Sequence, residues 1–343
     1  MTRAALFCCV LLGGSGAGAL PPAQEPPATQ PAPPAPGDTV ERLLERHDRA
    51  LIQDLTRYIQ EHPAAADLDQ AYTAIFERAI ERDWFAETET LAQGYLKAAP
   101  DGAVSPLARI IATMARARAG AYGEALTSYR ALMRGLNSGD QEDFAASFSD
   151  QLALSAAAAG EVAVARAVYQ ELLDRFGASQ RLRDKAQAEL ARLDLAGQPV
   201  PATEVRDLEG KPISLAQYRG KYLLIDVWAT WCTPCINELP RLQALHAAHR
   251  DRGFEIVGIA LDETPEPVRD LVKARQIAWR QVHQTSSGGD WVGALRVTNL
   301  PATYLVNPEG NIERIDLRGE ALEQYLLEKL RTSAAADRAA VPR

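Results

Sequence analysis

The sequence predicts two folded parts in one chain: an all-α region of stacked helical hairpins, followed by an α/β layer. Three observations carry this expectation. Residues 38–196 place apolar side chains at three- and four-residue steps and show no strand pattern. From 197 to 331, short apolar runs alternate with helical patterns. Between the first of those runs and the helix after it stands Trp231-Cys232-Thr233-Pro234-Cys235.

The 343 residues suit more than one domain, and a hydrophobic content of 47% supports buried cores. A net charge of −8 argues against a nucleic-acid binder, and no apolar run approaches the length of a membrane span. Residues 1–19 read as a signal peptide: Arg3, a short apolar block from Ala4 to Leu12, then Ala17-Gly18-Ala19 as a small-x-small cleavage site. A lipid anchor on Cys8 or Cys9 fits less well, because both lie inside the apolar block rather than after the small residues. Cleavage would leave an acidic, soluble, periplasmic chain whose cysteines are Cys232 and Cys235 alone. That usage fits a redox catalyst in an oxidising compartment.

Residues 20–37, with eight prolines, read as an extended linker. Asp38 with Glu41 has the spacing of a capping box, and Val40, Leu43, Leu44, His47, Leu51, Leu55, Tyr58 and Ile59 form one apolar face. Further helices are expected over 67–82, 84–98, from Ser105-Pro106, and over 121–135, 141–159, 161–176 and 179–195. Ala119, Gly120, Ala125, Tyr129 and Leu132 recur as Ala159, Gly160, Ala165, Tyr169 and Leu172, and Asp83-Trp84-Phe85 opens a looser copy. A small residue at the turn lets two helices approach, and the aromatic fills the groove. The pattern resembles tetratricopeptide-like hairpins, although its 40-residue period exceeds that family's usual length of about 34. The resemblance implies a protein partner for this region; the bland alternative is a spacer or support.

The composition changes near Gly197-Gln198-Pro199, where a boundary is expected. A hairpin is read over 202–215, a buried strand over 221–228, a helix from about Pro234 to about Arg252, and a second buried strand over 254–261. A helix over 265–276, a helical turn at 291–295, strands from Pro301 to Val306 and Ile312 to Leu317, and a helix over 319–331 complete the layer. The tail 332–343 is expected to be disordered.

A helix N-terminus offers unpaired N–H groups and a positive dipole end, both of which favour a thiolate. Two intervening residues let Cys235 reach the sulfur of Cys232. The residues therefore suggest a dithiol/disulfide site acting through Cys232. Half of a zinc site has the same spacing, but zinc takes about four ligands and no second cysteine pair exists.

Residues 199–331, about 40% of the chain, resemble the TlpA/ResA-like class of thioredoxin-fold thiol–disulfide oxidoreductases, which are exported or membrane-tethered. The hairpin with Gly210, the Trp-Ala-Thr-Trp-Cys-Thr-Pro-Cys run, Glu238-Leu239-Pro240 and Leu300-Pro301-Ala302-Thr303 through Gly310 carry the likeness. It implies an exposed nucleophile at Cys232, a buried resolving thiol at Cys235, and a cis-proline at Pro301 beside the disulfide. Trp231, Leu300, Thr233 and Pro234 would meet the substrate. Asp226 and Glu238 match acidic residues of such sites, and either could accept the Cys235 proton. No cofactor is expected beyond the redox-active disulfide. Implied partners are protein thiol or disulfide substrates and a membrane electron donor for re-reduction. A scaffold with an auxiliary redox site is the rival reading. Peroxide reduction is weaker, because a Pro-x-x-x-Thr-x-x-Cys motif does not precede Cys232.

Overall fold

The computed structural model describes residues 39–339 except 138, 140 and 203, with side chains to residue 331. The expected signal peptide, the proline-rich linker, Cys8, Cys9 and Asp38 lie outside the described residues. The chain divides into two compact units between Ala145 and Ala146.

The first unit holds α1 (Val40–Glu61), α2 (Leu68–Glu81), α3 (Phe85–Ala98), α4 (Ser105–Arg118) and α5 (Tyr122–Arg134). Thr39 caps α1, its hydroxyl accepting the Arg42 N–H at 3.2 Å. Ile75, Phe76, Phe85, Tyr95, Ile110, Ile111, Tyr129 and Met133 fill the core, whereas Val40 and Leu44 of the expected apolar face stay exposed.

The recurring hairpin has a backbone cause. Gly120 and Gly160 both take left-handed φ values, +78° and +89°, and Asp83 takes +60° at the matching place in the looser copy. At each turn the next N–H bonds back into the helix it has left: Trp84 to Ala79 O, Ala121 to Arg116 O and Glu161 to Ala156 O, each at 2.8 Å. This closes the helix ends as a Schellman cap. The residues repeated after the turn are buried in both copies, Ala125, Tyr129 and Leu132 like Ala165, Tyr169 and Leu172.

The second unit contains α7 (Val162–Phe176) and α8 (Gln180–Leu193) together with the α/β layer; α6 (Glu142–Ala159) leads into it. The composition changes near 196–197, but the compact unit begins some fifty residues earlier, so the last helical hairpin folds with the sheet. A two-stranded hairpin, β1 (Val205–Arg206) and β2 (Pro212–Ile213), precedes a five-stranded sheet. The sheet order is β5-β4-β3-β6-β7. β3 (Tyr222–Trp228), β4 (Phe254–Ala260) and β5 (Arg280–His283) run parallel; β6 (Ala302–Val306) pairs antiparallel with β3, and β7 (Ile312–Ile315) pairs antiparallel with β6. Three further helices are α9 (Thr233–His249), α10 (Pro265–Arg275) and α12 (Gly319–Ala339), with α11 (Trp291–Ala294) a single turn.

Both faces of the sheet are covered, and alternation along β3 separates them. Leu224 and Trp228 pack with Leu239, Leu242 and Leu245 of α9 and with Leu322, Leu326 and Leu330 of α12. Leu223, Ile225 and Val227 pack on the other face with Leu195, Trp291 and Leu295.

Two elements differ from expectation. β5 falls where no strand was expected; its Gln281 and His283 are buried, with Trp228 Nε1 donating to Gln281 Oε1 and His283 Nε2 bonding to the Asp262 carbonyl. The expected disordered tail is helical to Ala339, since its alanine-rich sequence continues α12 at little entropic cost; residues 340–343 are not described. Among the described residues no helix is long and apolar enough to cross a membrane.

The turn geometry predicts opposite effects from two neighbouring glycines, neither of which has an atom within 4 Å of an added Cβ. Gly120→Ala should lower stability by about 1 kcal/mol, because φ is left-handed. Gly123→Ala, inside α5, should raise it by about 0.5 kcal/mol. Urea midpoints of the two variants moving in the same direction would contradict this account of the turn.

Candidate active site

β3 ends at Trp228, and a short loop carries the chain to the first turn of α9. The loop is pinned on both sides. Leu261 N–H bonds to Trp228 O at 2.9 Å, and the buried Asp262 carboxylate accepts the Thr230 N–H at 3.2 and 3.3 Å and its hydroxyl. Cys232 then occupies the N-cap of α9 with extended backbone. Its sulfur accepts the Cys235 N–H at 3.3 Å, and its carbonyl accepts the Ile236 N–H at 3.0 Å. Pro234 falls in the first turn, where a missing N–H costs nothing.

Cys232 and Cys235 form a disulfide across a Cα separation of 5.3 Å. Both are buried in this oxidised form, at 5% and 4% exposure. The expected contrast of an exposed Cys232 against a buried Cys235 is therefore absent here. The exposed groups are Thr233, Pro234 and above all Trp231, at 68%.

The register of β3 against β6 brings the other residues to this turn. Val227 lies opposite Ala302 and Asp226 opposite Thr303, so Leu300-Pro301 enters the sheet beside the end of β3. The Leu300–Pro301 peptide is cis, and Leu300 packs against the cluster that contains both cysteines.

Asp226 sits between Leu224 and Trp228 in the alternation, on the face that the cysteines share. It is buried. Burial pushes its carboxyl up to about 7, the nearby Arg318 guanidinium works against that rise, and the Glu238 carboxylate adds to it. Glu238 accepts the Gly319 N–H at 2.9 Å, and Arg318 reaches the Pro301 carbonyl at 3.4 Å. The structure thus gathers Asp226, Trp231, Cys232, Thr233, Pro234, Cys235, Glu238, Leu300 and Pro301 around one turn.

Sequence reasoning missed two residues here. Asp262 had a signal, an acid directly after a buried strand. Arg318 had none, since a basic residue before a helix is ordinary. Among the described residues, no three His, Cys, Asp or Glu side chains converge as metal ligands would.

Relatives of similar sequence are thiol-disulfide oxidoreductases. Residues 196–315 match the profile of the AhpC/TSA family. Thiol-disulfide oxidoreductase ResA of Bacillus thuringiensis subsp. konkukian is 31% identical over 135 residues, covering 39% of this chain and 76% of that protein. ResA of Bacillus subtilis is 30% identical over 119 residues, covering 35% and 65%. Among solved structures, the thioredoxin domain of a thiol-disulfide oxidoreductase from Bacteroides vulgatus has 30% identity and a TM-score of 0.36, covering 39% of this chain and 97% of that one. StoA from Bacillus subtilis has 26% identity and a TM-score of 0.33, covering 37% and 98%.

The enclosure of Asp226 makes stability depend on pH with a definite sign. Its carboxyl titrates near the ordinary value of 3.8 when unfolded and near about 7 when folded. Between those values the folded state holds the extra proton, so stability falls as pH rises through about 7. Asp226→Asn should remove this dependence, gaining stability over the parent at pH 8 by at most about 4 kcal/mol and little near pH 4. Urea titrations of the oxidised proteins at pH 4, 6 and 8 check it; parallel profiles for parent and variant would rule the assignment out.

Proposed function

Because the chain belongs to the ResA family of thiol–disulfide oxidoreductases, we propose that it is an exported reductant of protein disulfides acting through Cys232 and Cys235. The observation that carries this reading is the position of Cys232 as the N-cap of α9, with the Cys235 N–H directed at its sulfur. The same N–H and the helix dipole stabilise a Cys232 thiolate once the disulfide is reduced.

In the cycle, the Cys232 thiolate attacks one sulfur of a substrate disulfide. The substrate S–S bond breaks, a mixed disulfide forms, and the first substrate thiolate leaves and takes up a proton. Cys235 then loses its proton and attacks the Cys232 sulfur. The Cys232–Cys235 disulfide forms, and the second substrate thiolate leaves. Two electrons pass from protein to substrate, and a membrane-bound dithiol donor returns them.

Asp226 is the acceptor of the Cys235 proton in this reading. It lies on the cysteine face of β3, and a carboxyl near about 7 exchanges a proton readily at neutral pH. Glu238 is already engaged by the Gly319 N–H and tunes Asp226. Leu300 and Pro301 supply the edge along which a substrate strand lies, and Trp231 with Thr233 and Pro234 covers it from the helix side. The helical region would recruit a protein partner. Peroxide reduction is favoured by the AhpC/TSA match alone, and Ile225 and Ala229 stand where its Pro and Thr would be.

Cys232→Ser should lower turnover of a disulfide-bonded protein substrate by roughly a hundredfold or more, and Cys235→Ser should accumulate a mixed disulfide on non-reducing gels. Equilibration in redox buffers should give a potential near that of thioredoxin, about −270 mV. A potential near about −120 mV would reverse the proposed electron flow. Full activity of Cys232→Ser would remove the dithiol mechanism altogether.

A further inference from the structure

α8 presents an inward stripe of Leu182, Ala186, Glu189 and Leu193, all buried. A carboxylate in such a stripe is costly unless it is paired. Glu189 is 1% exposed, and Arg192, one turn on, is 2% exposed. Their partners lie on the segment before Leu300-Pro301 and on the turn after β7.

One oxygen of Glu189, Oε2, accepts Arg192 Nε at 2.9 Å, and Arg192 Nη2 lies 2.9 Å from it as a charge contact. The other, Oε1, accepts the Thr298 hydroxyl at 2.6 Å and Asn299 Nδ2 at 3.4 Å. Thr298 and Asn299 immediately precede Leu300-Pro301. The same nitrogen, Arg192 Nη2, meets Asp316 Oδ2 at 2.7 Å, a charge contact whose alignment falls short of a hydrogen bond. Asp316 holds a left-handed φ of +60°, and its N–H bonds to Thr303 O at 2.8 Å. Two residues later Arg318 reaches the Pro301 carbonyl. Arg296 adds a tie from the same loop, to the Ala191 carbonyl and to Asp194 at 3.5 Å.

We propose that Glu189 and Arg192 are positioning residues that hold Leu300-Pro301 in the orientation needed to bind a disulfide-bearing substrate strand. An apolar stripe would anchor α8 to the sheet at least as firmly, because a buried ion pair rarely exceeds packed hydrophobic groups in stability. What the charges add is direction. Glu189 bonds to side chains at the loop's entry and Arg192 makes a charge contact with the turn behind it, so both sides of the Leu300–Pro301 peptide are referenced to one helix. The last helical hairpin is thereby a working part of the oxidoreductase rather than an appendage. This inference rests on the proposed role of Leu300-Pro301 as the substrate edge.

The test uses the full chain with Thr298→Val, Thr298→Ser and Glu189→Gln. Thr298 is exposed, so its valine variant removes one hydroxyl with little risk to folding. Thr298→Val and Glu189→Gln should raise KM for a disulfide-bonded peptide roughly fivefold while kcat stays within about twofold. Reduction of a small disulfide such as hydroxyethyl disulfide, and the potential of the cysteine pair, should not change. Thr298→Ser should restore KM. Amide exchange at Leu300 and Ala302 should rise about tenfold in Thr298→Val. Unchanged exchange, or a KM within about twofold of the parent, overturns the inference; so does an equal loss on both substrates, which is a structural effect only. If the parent itself does not turn over the peptide, the substrate reading fails, and amide exchange still decides whether α8 orders the loop.

Discussion

The N-terminus of α9 is the point on which the rest of the second unit depends. A sulfur that caps a helix must sit where the strand before it ends, and that place is set by β3 at the centre of the sheet. Parallel pairing to β4 holds β3 over its whole length, and antiparallel pairing to β6 holds Leu223 to Val227 from the other side. Asp262 then ties Thr230 and leaves the loop little freedom. The reactive pair therefore inherits its position from a central strand buried along its whole length, while Trp231 remains at the surface beside it.

Burial sets the chemistry as well as the geometry. The alternation that directs Leu224 and Trp228 into the cysteine-side core directs Asp226 there too, between them. Enclosure makes its negative charge expensive, and Glu238 makes it more so, while Arg318 returns part of the cost. An acid destabilising to the folded state at neutral pH is hard to explain as packing. It is readily explained as a proton acceptor, because the property that lowers stability is the one that matches its affinity for a proton to the task.

Legibility in the sequence followed the range over which each feature is encoded. β3, β4 and the helices were readable because apolar periodicity is local, and the turn glycines because a left-handed φ leaves few residues to choose from. Cys232, Cys235, Asp226, Glu238 and Pro301 were readable because their spacing along adjacent elements resembles a known class. β5 was not, since Gln281 and His283 are buried against Trp228 and Asp262, which lie far away in sequence. The mutual burial of the cysteines was not readable either, because it depends on what surrounds the turn. Glu189 and Arg192 read as ordinary charges on a helix rich in them, and only the sheet beneath reveals that they are enclosed.

That last failure bears on where the enzyme begins. Composition marks a change near 197, and similarity to known oxidoreductases starts at 196. By those measures α8 belongs to the helical region. By its contacts it belongs to the sheet: Leu195 enters the core against β3, and the Glu189–Arg192 pair reaches Thr298, Asn299 and Asp316. A fragment starting at 197 would expose an apolar face and strip Asp316 of its cation. It would also leave the loop before Pro301 without its carboxylate anchor. The compact unit that carries the oxidoreductase fold is therefore larger than the segment its relatives delineate, and it includes the buried charges of α8.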